Sequence, residues 1–536
     1  MSALPDPIRD GLARGWTVHG AEHAPLPEAI TVDVAIVGTG AGGGISAEIL
    51  ARAGLRVLLV EEGPLRSSRD FKQRESEAYP QLYQEAAGRK TADKAINIMQ
   101  GRSVGGSTTV NWTSSFRTPA PTLAFWRERF GLSDATPEAL APWFEQAERR
   151  VSIDDWLTDP NPNNAVLATG GDKLGIPTAR IRRNVKGCWN LGSCGMGCPT
   201  NAKQSMLVTT VPTALDAGAV LFVQTRAHAL RRQGARVEGL DCVAVGFNGS
   251  PSGARCRVTA KHVVLAGGAI NTPAVLLRSQ APDPHHLLGR RTFLHPTVIS
   301  AATFAQRIEG WAGAPQTVYS DHFLTTQAID GPLGYKLESA PMHPVIMATT
   351  MAGFGPEQVA QLAQFPHSQV LLALLRDGFH PDSPGGRVRL KGDGSPELDY
   401  PLTPAVMEGV RRAFLSMAEI QFAAGATSAQ PVHEQAPAYK TWAEARSGIA
   451  ALDLRPLLTR VVSAHVMGGC AMASTPERGV TRPDGTHWQL ENLSVHDGSL
   501  FPTSIGANPQ LSIYGLVNRL SHALAQRLGA KPVALA

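Results

Sequence analysis

A glycine run between two buried strands constrains the fold of this chain more than any other feature. Val32 to Val37 is a short apolar run rich in β-branched residues, which is typical of a buried parallel strand. Gly38-x-Gly40-x-x-Gly43 follows it directly and opens a predicted helix. A second apolar run then ends at Glu61. The order strand, glycine turn, helix and strand predicts a βαβ unit that binds a dinucleotide.

Each glycine of this run has its own physical role. Gly38 permits a tight turn, Gly40 lets the backbone approach a pyrophosphate, and Gly43 lets the helix pack closely on the strand. The helix N-terminus offers free N–H groups and the positive end of its dipole to the phosphates. Glu61 stands at the spacing at which an acid hydrogen-bonds a ribose hydroxyl. The βαβ unit alone does not distinguish FAD from NAD.

Length and composition exclude several classes of protein. A chain of 536 residues with 43% hydrophobic and 18% charged residues is typical of a soluble protein with two or more domains. The net charge of +5 is not concentrated in a basic run, so no nucleic-acid partner is expected. No apolar stretch is long enough to span a membrane, and no signal peptide is recognised. These features favour a cytoplasmic location, unless a partner subunit carries a signal.

Further motifs along the chain resemble the signatures of one family. The segment Gly101–Asn111 resembles the first signature of the glucose–methanol–choline (GMC) oxidoreductases, and Ala266–Pro273 resembles the second. The stretches that begin at His465, Val495 and Asn508 are similar to the C-terminal motifs of the same family. The motifs follow the family's order, so the resemblance covers nearly the whole chain.

The resemblance implies a particular cofactor and a set of residues around it. FAD is expected, and its binding is expected to be non-covalent, because no histidine lies between Ile96 and Asn111. A Gly-Gly-Ser loop suits a flavin and a diphosphate, since it combines close backbone approach with several hydrogen-bond donors. Besides the βαβ residues, those implied to bind the cofactor are Arg102, Gly105, Gly106, Ser107, Asn111, Ala266, Asp497 and Gly498.

The predicted fold class is α/β, with a discontinuous Rossmann-like FAD-binding domain and an inserted substrate domain built on an antiparallel sheet flanked by helices. Composition shifts and Pro/Asn-rich stretches suggest the boundaries. The predicted segments are the FAD-binding domain in three parts (1–155, 201–310 and 455–536), a crossing segment with a cysteine-rich loop (156–200), and the substrate domain (311–454).

Two residues are expected to carry the chemistry. Oxidation of an alcohol by a flavin needs a base for the hydroxyl proton and a hydrogen-bond partner that orients the oxygen. The resemblance places His465 and Asn508 at the family's catalytic positions, and imidazole and amide groups suit these two roles. His295 resembles part of a loop near the flavin in relatives, without an assigned role. Sugars, polyols, primary alcohols, terpenoid alcohols and sterols all remain open as substrates.

A glycine-rich loop with the spacing Cys-x5-Cys-x3-Cys holds Cys188, Cys194 and Cys198. Three thiolates on such a loop can bind an iron–sulfur cluster, whereas structural zinc normally takes four ligands in closer pairs. The spacing is similar to that in flavoprotein subunits of bacterial membrane-linked glucose and fructose dehydrogenases, which implies a [3Fe–4S] cluster. Other GMC relatives have an added cysteine near the position of Leu191 and no established cluster. Unliganded thiols, zinc and a disulfide are the alternatives.

The electron acceptor separates the leading function from its rivals. With a cluster, electrons from the alcohol would pass to a cytochrome c or a quinone. A small signal-bearing subunit could then bring the protein to the periplasm or the membrane. Without a cluster, an alcohol oxidase of the same fold would use oxygen and release hydrogen peroxide. A flavin-fold lyase without net redox and a flavoprotein used only for binding are the remaining alternatives.

Overall fold

The computed structural model describes residues 4–536 and shows an α/β protein built around two large sheets. The helices are α1 (Pro7–Ala13), α2 (Ala41–Arg52), α3 (Glu75–Leu82), α4 (Ser107–Val110), α5 (Ala120–Phe130), α6 (Pro137–Arg150), α7 (Pro162–Leu174), α8 (Thr210–Asp216), α9 (Gly268–Arg278), α10 (His322–Thr325), α11 (Pro344–Thr350), α12 (Pro356–Ala363), α13 (Pro404–Ala423), α14 (Trp442–Ala451) and α15 (Gln510–Arg527). The strands are β1 (Val18–His19), β2 (Ala29–Val37), β3 (Val57–Val60), β4 (Ile96–Ile98), β5 (Ile153–Asp154), β6 (Ala179–Arg180), β7 (Arg183–Asn184), β8 (Val220–Phe222), β9 (Thr225–Gln233), β10 (Arg236–Val245), β11 (Pro251–Leu265), β12 (Arg290–Phe293), β13 (Thr297–Thr303), β14 (Val318–Ser320), β15 (Tyr335–Glu338), β16 (Ser368–Leu375), β17 (Gly386–Leu390), β18 (Pro396–Asp399), β19 (Ser428–Pro431), β20 (Val461–Ser463), β21 (Met467–Gly468) and β22 (Leu493–Val495).

The first large sheet contains the predicted dinucleotide unit. Its strands lie in the order β1-β8-β3-β2-β11-β10-β9, and β22 also pairs with β11. The pairs from β1 to β11 and the pair β11–β22 are parallel, whereas β10 and β9 extend the sheet in antiparallel fashion. All of β3 is buried, and β2 is buried from Val32 to its end. Because α2 begins four residues after β2, at Ala41, the predicted βαβ unit is confirmed.

The second large sheet has the strand order β4-β20-β13-β16-β15-β14-β6, with β19 also paired to β13. Apart from the parallel pair β4–β20, its pairs are antiparallel. The apolar strand β16 is buried along its whole length, and α13 packs against β13 and β16 through a buried apolar face. This is the predicted antiparallel sheet flanked by helices.

The second sheet also draws strands from outside residues 311–454. β4, β6 and β13 precede this segment, and β20 follows it. The domain boundaries stay a prediction. A smaller antiparallel sheet, β18-β17-β12-β21, joins residues from both sides of the segment.

The C-terminal part of the chain folds back onto the dinucleotide unit. Strand β22 lies in parallel beside β11, and α15 packs against α2 and α6. The prediction of a discontinuous dinucleotide domain is therefore confirmed. Within residues 4–536, no helix combines the length and the apolar character needed to cross a membrane.

Candidate active site

One cavity is lined both by the glycine turn after β2 and by the predicted catalytic residues. Its volume is about 1420 Å³. The part lined by Gly38, Gly40 and the loop of residues 100–114 is called the dinucleotide end, and the part lined by His465 and Asn508 is called the reaction end. The cavity therefore contains both halves of the predicted site, although their residues are far apart in the sequence.

The dinucleotide end of the cavity is made of closely packed backbone. Gly38 has a φ of +96°, which favours glycine, and its carbonyl oxygen would overlap with a Cβ atom at Gly43. A Cβ atom on Gly106, which has a φ of +54°, would lie 2.7 Å from the Cα atom of Gly40. The carbonyl oxygen of Ala266 packs against the same turn, where it would overlap with a Cβ atom at Gly38. Side chains are excluded here, and the resulting backbone cradle fits a cofactor diphosphate.

Glu61 lies on the cavity wall and also stabilises the glycine turn. Its carboxylate accepts hydrogen bonds from Thr39 N (3.0 Å), Thr39 Oγ1 (2.6 Å) and Gly63 N (2.9 Å). Thr39 Oγ1 in turn accepts a hydrogen bond from the backbone N–H of Gly105 at 3.0 Å. Burial raises the pKa of Glu61. Its contact with a ribose stays a prediction, while its role in joining the two glycine loops is a feature that the sequence did not indicate.

Arg102 lies at the same end of the cavity, where it fixes a neighbouring loop. Its guanidinium group donates to the carbonyl oxygens of Gly246 (3.0 Å) and Phe247. The Nε atom lies 3.6 Å from Glu62 Oε1, and this buried nitrogen has no hydrogen-bond partner in the protein. The side chain therefore holds the 246–250 turn beside the cavity and leaves one donor unpaired.

Ser107 and Asn111 also line the cavity, and their side chains make contacts within the protein. Ser107 Oγ accepts a hydrogen bond from Gly101 N at 2.9 Å. Asn111 Nδ2 donates to Gln510 Oε1 at 2.7 Å, which links the residue that follows α4 to the start of α15. The first signature segment is thereby tied to the C-terminal segment that carries the predicted catalytic amide.

Asp497 and Gly498 lie where the C-terminal segment meets the N-terminus of α9. The buried carboxylate of Asp497 accepts hydrogen bonds from Gly268 N (2.8 Å), Thr272 Oγ1 (2.6 Å) and Ser499 N (2.8 Å). Burial raises the pKa of Asp497, and these hydrogen bonds oppose that shift. Both predicted residues line the cavity. Asp497 fixes the backbone around the cofactor end, and its contact with the ribityl chain stays a prediction.

His465 lies between β20 and β21 and is partly exposed to the cavity. The surrounding protein desolvates its ring and lowers its pKa to about 4, so the imidazole is neutral at neutral pH. Its Nδ1 atom lies 3.3 Å from Nδ1 of His295. His295 is buried, and its Nε2 atom accepts a hydrogen bond from Gly506 N at 2.9 Å. A buried histidine therefore supports the ring of His465.

Asn508 immediately precedes the helix-capping residue of α15, and its buried amide lines the cavity. Its Nδ2 atom donates to Glu338 Oε2 at 3.2 Å, and Gln316 Nε2 donates to the same oxygen at 2.6 Å. Burial raises the pKa of Glu338 to about 7. The sequence did not indicate Glu338, because one acidic residue at the end of a strand has no distinguishing motif around it.

Apolar side chains from the second sheet and from the residues in and beside α11 form one wall of the cavity. This apolar wall consists of Ile299, Met342, Met347, Met351, Val370, Leu372 and Leu374. The sequence of residues 311–454 showed no recognisable chemistry. The wall could not be found there, because its side chains come from three separate segments and repeat no motif.

The cysteine-rich loop does not form the metal centre expected from its spacing. Cys188, Cys194 and Cys198 are free thiols, and among residues 4–536 no group of three or more His, Cys, Asp or Glu side chains could hold a metal ion. The Cys194 thiol instead lies 3.9 Å from Nη2 of Arg183, and Lys203 Nζ donates to the Cys194 carbonyl at 2.6 Å. The predicted metal role and [3Fe–4S] cluster are therefore not supported, because cations and backbone contacts organise this loop.

Fold and site together define a dinucleotide-dependent oxidoreductase with a substrate region between two sheets. Family models for the N-terminal and C-terminal parts of GMC oxidoreductases match residues 79–297 and 381–516. The chain belongs to the GMC oxidoreductase family, and it is an FAD-dependent enzyme that acts on alcohol groups.

Individual relatives agree with this assignment. Long-chain-alcohol oxidase FAO1 of Arabidopsis thaliana is 26% identical, over 93% of this chain and 68% of that protein. The 6'''-hydroxyparomomycin C oxidase of Streptomyces lividus is 26% identical, over 98% of both chains. Among solved structures, pyridoxine 4-oxidase from Mesorbium loti has a TM-score of 0.67 at 17% identity, covering 92% of this chain and 99% of that chain. Formate oxidase also has a TM-score of 0.67 at 15% identity, covering 94% and 100%. The two structures establish the fold.

Proposed function

We propose that this protein oxidises an alcohol to its carbonyl compound, with His465 as the base and Asn508 as the partner that orients the oxygen. The observation that carries the proposal is the single cavity in which both residues and the backbone cradle of Gly38, Gly40 and Gly106 meet. When bound, FAD supplies the hydride acceptor for this reaction.

The chain's own residues supply the proton chemistry. His465 is neutral at neutral pH, so its ring can take the proton of a substrate hydroxyl. Asn508 presents an amide that donates or accepts a hydrogen bond without gaining a charge. Asn508 is buried and His465 is partly buried, and in such surroundings fixed hydrogen bonds to a developing charge are stronger than in water.

Non-covalent attachment of FAD is part of the proposal. The backbone cradle would hold the diphosphate, with the unpaired Nε donor of Arg102 near the same end. Among the described residues that line the cavity, the histidines are His228 and His465, and none is a cysteine. Denaturation with acid should therefore release the flavin into the supernatant, and flavin that stays with the precipitated protein would contradict this part.

The apolar wall supports an alcohol with an extended hydrocarbon chain as the substrate. Its methionines, Met342, Met347 and Met351, are flexible and adapt to a variable apolar ligand. A long-chain alcohol would bury its chain against this wall, whereas a sugar would leave hydroxyl groups facing it unpaired. The relative from Arabidopsis thaliana named a long-chain-alcohol oxidase supports the same substrate class.

Oxygen is the proposed electron acceptor. Two of the relatives described above are named as oxidases, and the three clustered cysteines do not form a metal-binding group in the described part of the chain. The route through a cluster to a cytochrome c or quinone, with a small signal-bearing subunit, loses its structural support for the same reason.

Anaerobic mixing of the holoenzyme with decan-1-ol tests the function directly. We expect the flavin absorbance to bleach with decan-1-ol and much more slowly with ethanol, and His465→Ala to abolish rapid bleaching. Admission of air should restore the absorbance and release hydrogen peroxide. Absence of bleaching with any alcohol would favour a lyase or a binding protein, and bleaching without peroxide in air would favour another electron acceptor.

A further inference from the structure

A buried polar cluster surrounds the side chain of Asn508, and of its members only Glu338 does not line the cavity. Glu338 Oε2 accepts hydrogen bonds from Asn508 Nδ2 and from Gln316 Nε2. Gln316 is itself oriented by Ser114, whose Oγ donates to Gln316 Oε1 at 2.8 Å. All four side chains are at most 4% exposed. The carboxyl group is therefore the centre of a fixed arrangement that ends at the proposed catalytic amide.

Two oxygen atoms of this cluster have no hydrogen-bond partner in the protein. They are Asn508 Oδ1 and Glu338 Oε1, and both are buried. Buried polar atoms are almost always hydrogen-bonded, so each unpaired atom needs an explanation. Since Asn508 lines the cavity, its free amide end can be satisfied by a molecule bound there. The amide thus connects the carboxyl group of Glu338 with the substrate region.

We propose that Glu338 is a positioning residue that determines which end of the Asn508 amide faces the substrate. This inference rests on the role proposed above for Asn508. An ionised carboxylate only accepts hydrogen bonds, so it holds Nδ2 and leaves Oδ1 toward the cavity. A protonated carboxyl group can donate to Oδ1, which turns Nδ2 toward the cavity. The second orientation offers an N–H donor to a substrate oxygen that is losing its proton, so it supports oxidation better.

The surroundings of Glu338 allow it to exchange its proton near neutral pH. Burial raises its pKa to about 7, and the charge of Lys336 and the Asn508 hydrogen bond oppose that shift. Lys336 is buried on the same strand and pairs with Asp321, whose charge raises the pKa of Glu338 slightly further. Tyr319 also faces the carboxyl group, and its hydroxyl is neutral in this pH range. No other charged or titratable side chain contributes to the shift among the described residues.

The first test compares the pH dependence of kcat in the holoenzyme and in Glu338→Gln. In the wild type, kcat with a saturating primary alcohol should fall about tenfold as the pH rises through the pKa of Glu338. Glu338→Gln keeps the shape of the side chain and cannot ionise, so this inflection should disappear. Glu75→Gln is the matched control, because Glu75 is a buried glutamate near the cavity wall that does not contact Asn508. It should retain the inflection.

A double-mutant cycle shows whether Glu338 acts through the amide. If it does, adding Glu338→Gln to Asn508→Ala should change kcat by less than about twofold. Multiplicative effects of the two substitutions would overturn the inference, as would a wild-type pH profile in Glu338→Gln. If Asn508→Ala alone leaves kcat unchanged, the proposed role of Asn508 fails. The two failures are therefore distinguishable.

A second variant keeps the inference falsifiable if Glu338→Gln does not bind FAD. Gln316 donates to Glu338 Oε2, and this hydrogen bond stabilises the ionised carboxylate. Gln316→Leu should therefore raise the pKa of Glu338 and move the inflection in kcat to higher pH. An inflection that stays at the wild-type pH in Gln316→Leu would overturn the inference.

Discussion

The two ends of the cavity are built in different ways. The dinucleotide end is formed by backbone from short runs of consecutive residues, in which glycines prevent side chains from filling the space. The reaction end is formed by side chains from segments that are far apart. His465 and Asn508 line it, and the buried side chains of His295 and Glu338 hold them from behind. A site made of backbone depends on where side chains are missing. A site made of side chains depends on contacts that only the folded protein creates.

The largest effect is expected from Gly43→Ala. Gly40→Ala, in the same turn, is its matched control. A Cβ atom at Gly43 would overlap with the carbonyl of Gly38, whereas one at Gly40 would meet only Gly106, at 3.8 Å. Gly43→Ala should lower the free energy of unfolding by about 3 kcal/mol or more, because the backbone of α2 and that of the glycine turn must move apart. Gly40→Ala should fold but bind FAD at least about tenfold more weakly, since its methyl group enters the cradle.

Thermal unfolding and the flavin content of the purified variants separate these two outcomes. Equal stability of the two variants would show that the close packing of α2 on β2 is not essential. Full flavin content in Gly40→Ala would show that the cradle is not the diphosphate site.

At the reaction end, His465→Ala should lower kcat by about 10²–10⁴-fold, the usual contribution of a general base. FAD content should not change, because the side chain lies at the opposite end from the backbone cradle. His228→Ala is the comparison, since His228 lines the cavity at its dinucleotide end. It should affect FAD affinity but not kcat per bound FAD. Similar kcat losses in the two variants would mean that His465 has no special part in the chemistry.

A substitution in the apolar wall is expected to have an effect of intermediate size. Met351→Glu places a charge among buried apolar side chains, so the KM for decan-1-ol should rise by about tenfold or more. The KM for ethanol should change little, because a short alcohol does not reach the wall. Val359→Glu is the matched control, since Val359 lies on α12 and is 66% exposed. Equal changes in KM for both alcohols would indicate that Met351 disturbs the reaction end as a whole.

The same contrast explains how much of this molecule could be predicted from its sequence. The βαβ unit was predictable because strand, glycine turn and helix lie within about thirty residues, where local sequence determines local structure. His465 and Asn508 were found through neighbouring motifs that resemble a known family. The structure adds that they share a cavity with Gly38, which spacing along the chain could not show.

Other features could not be predicted, for physical reasons. Glu338 and His295 gain their surroundings from long-range contacts, with Asn508 and Gly506 respectively. Burial and hydrogen-bond partners are properties of the fold and leave no pattern around a single residue. The cysteine-rich loop is the converse case, in which a clear sequence pattern has no support from the structure. Its spacing is a clear pattern, but spacing does not determine whether thiols converge on one point, and Arg183 and Lys203 occupy their surroundings instead.

The last expected effect concerns the stability of the reaction end. In the folded protein, burial raises the pKa of Glu338 from its model-peptide value of 4.5 to about 7. Between these two pH values the unfolded chain has lost the proton that the folded protein keeps. The stability that this proton provides is therefore fully present below pH 4.5 and is lost as the pH rises through about 7. Glu338→Gln has no such loss.

The free energy of unfolding of Glu338→Gln, relative to wild type, should therefore rise by about 3 kcal/mol between pH 4.5 and pH 8, at about 1.4 kcal/mol per pH unit. The pKa of about 7 already includes the charge of Lys336, which stabilises the ionised carboxylate. Denaturant unfolding at several pH values measures this difference without any need for turnover. A constant difference between the two proteins would mean that Glu338 stays ionised throughout. The Asn508 amide would then be held in one orientation at every pH, and the reaction end would have no pH-dependent element.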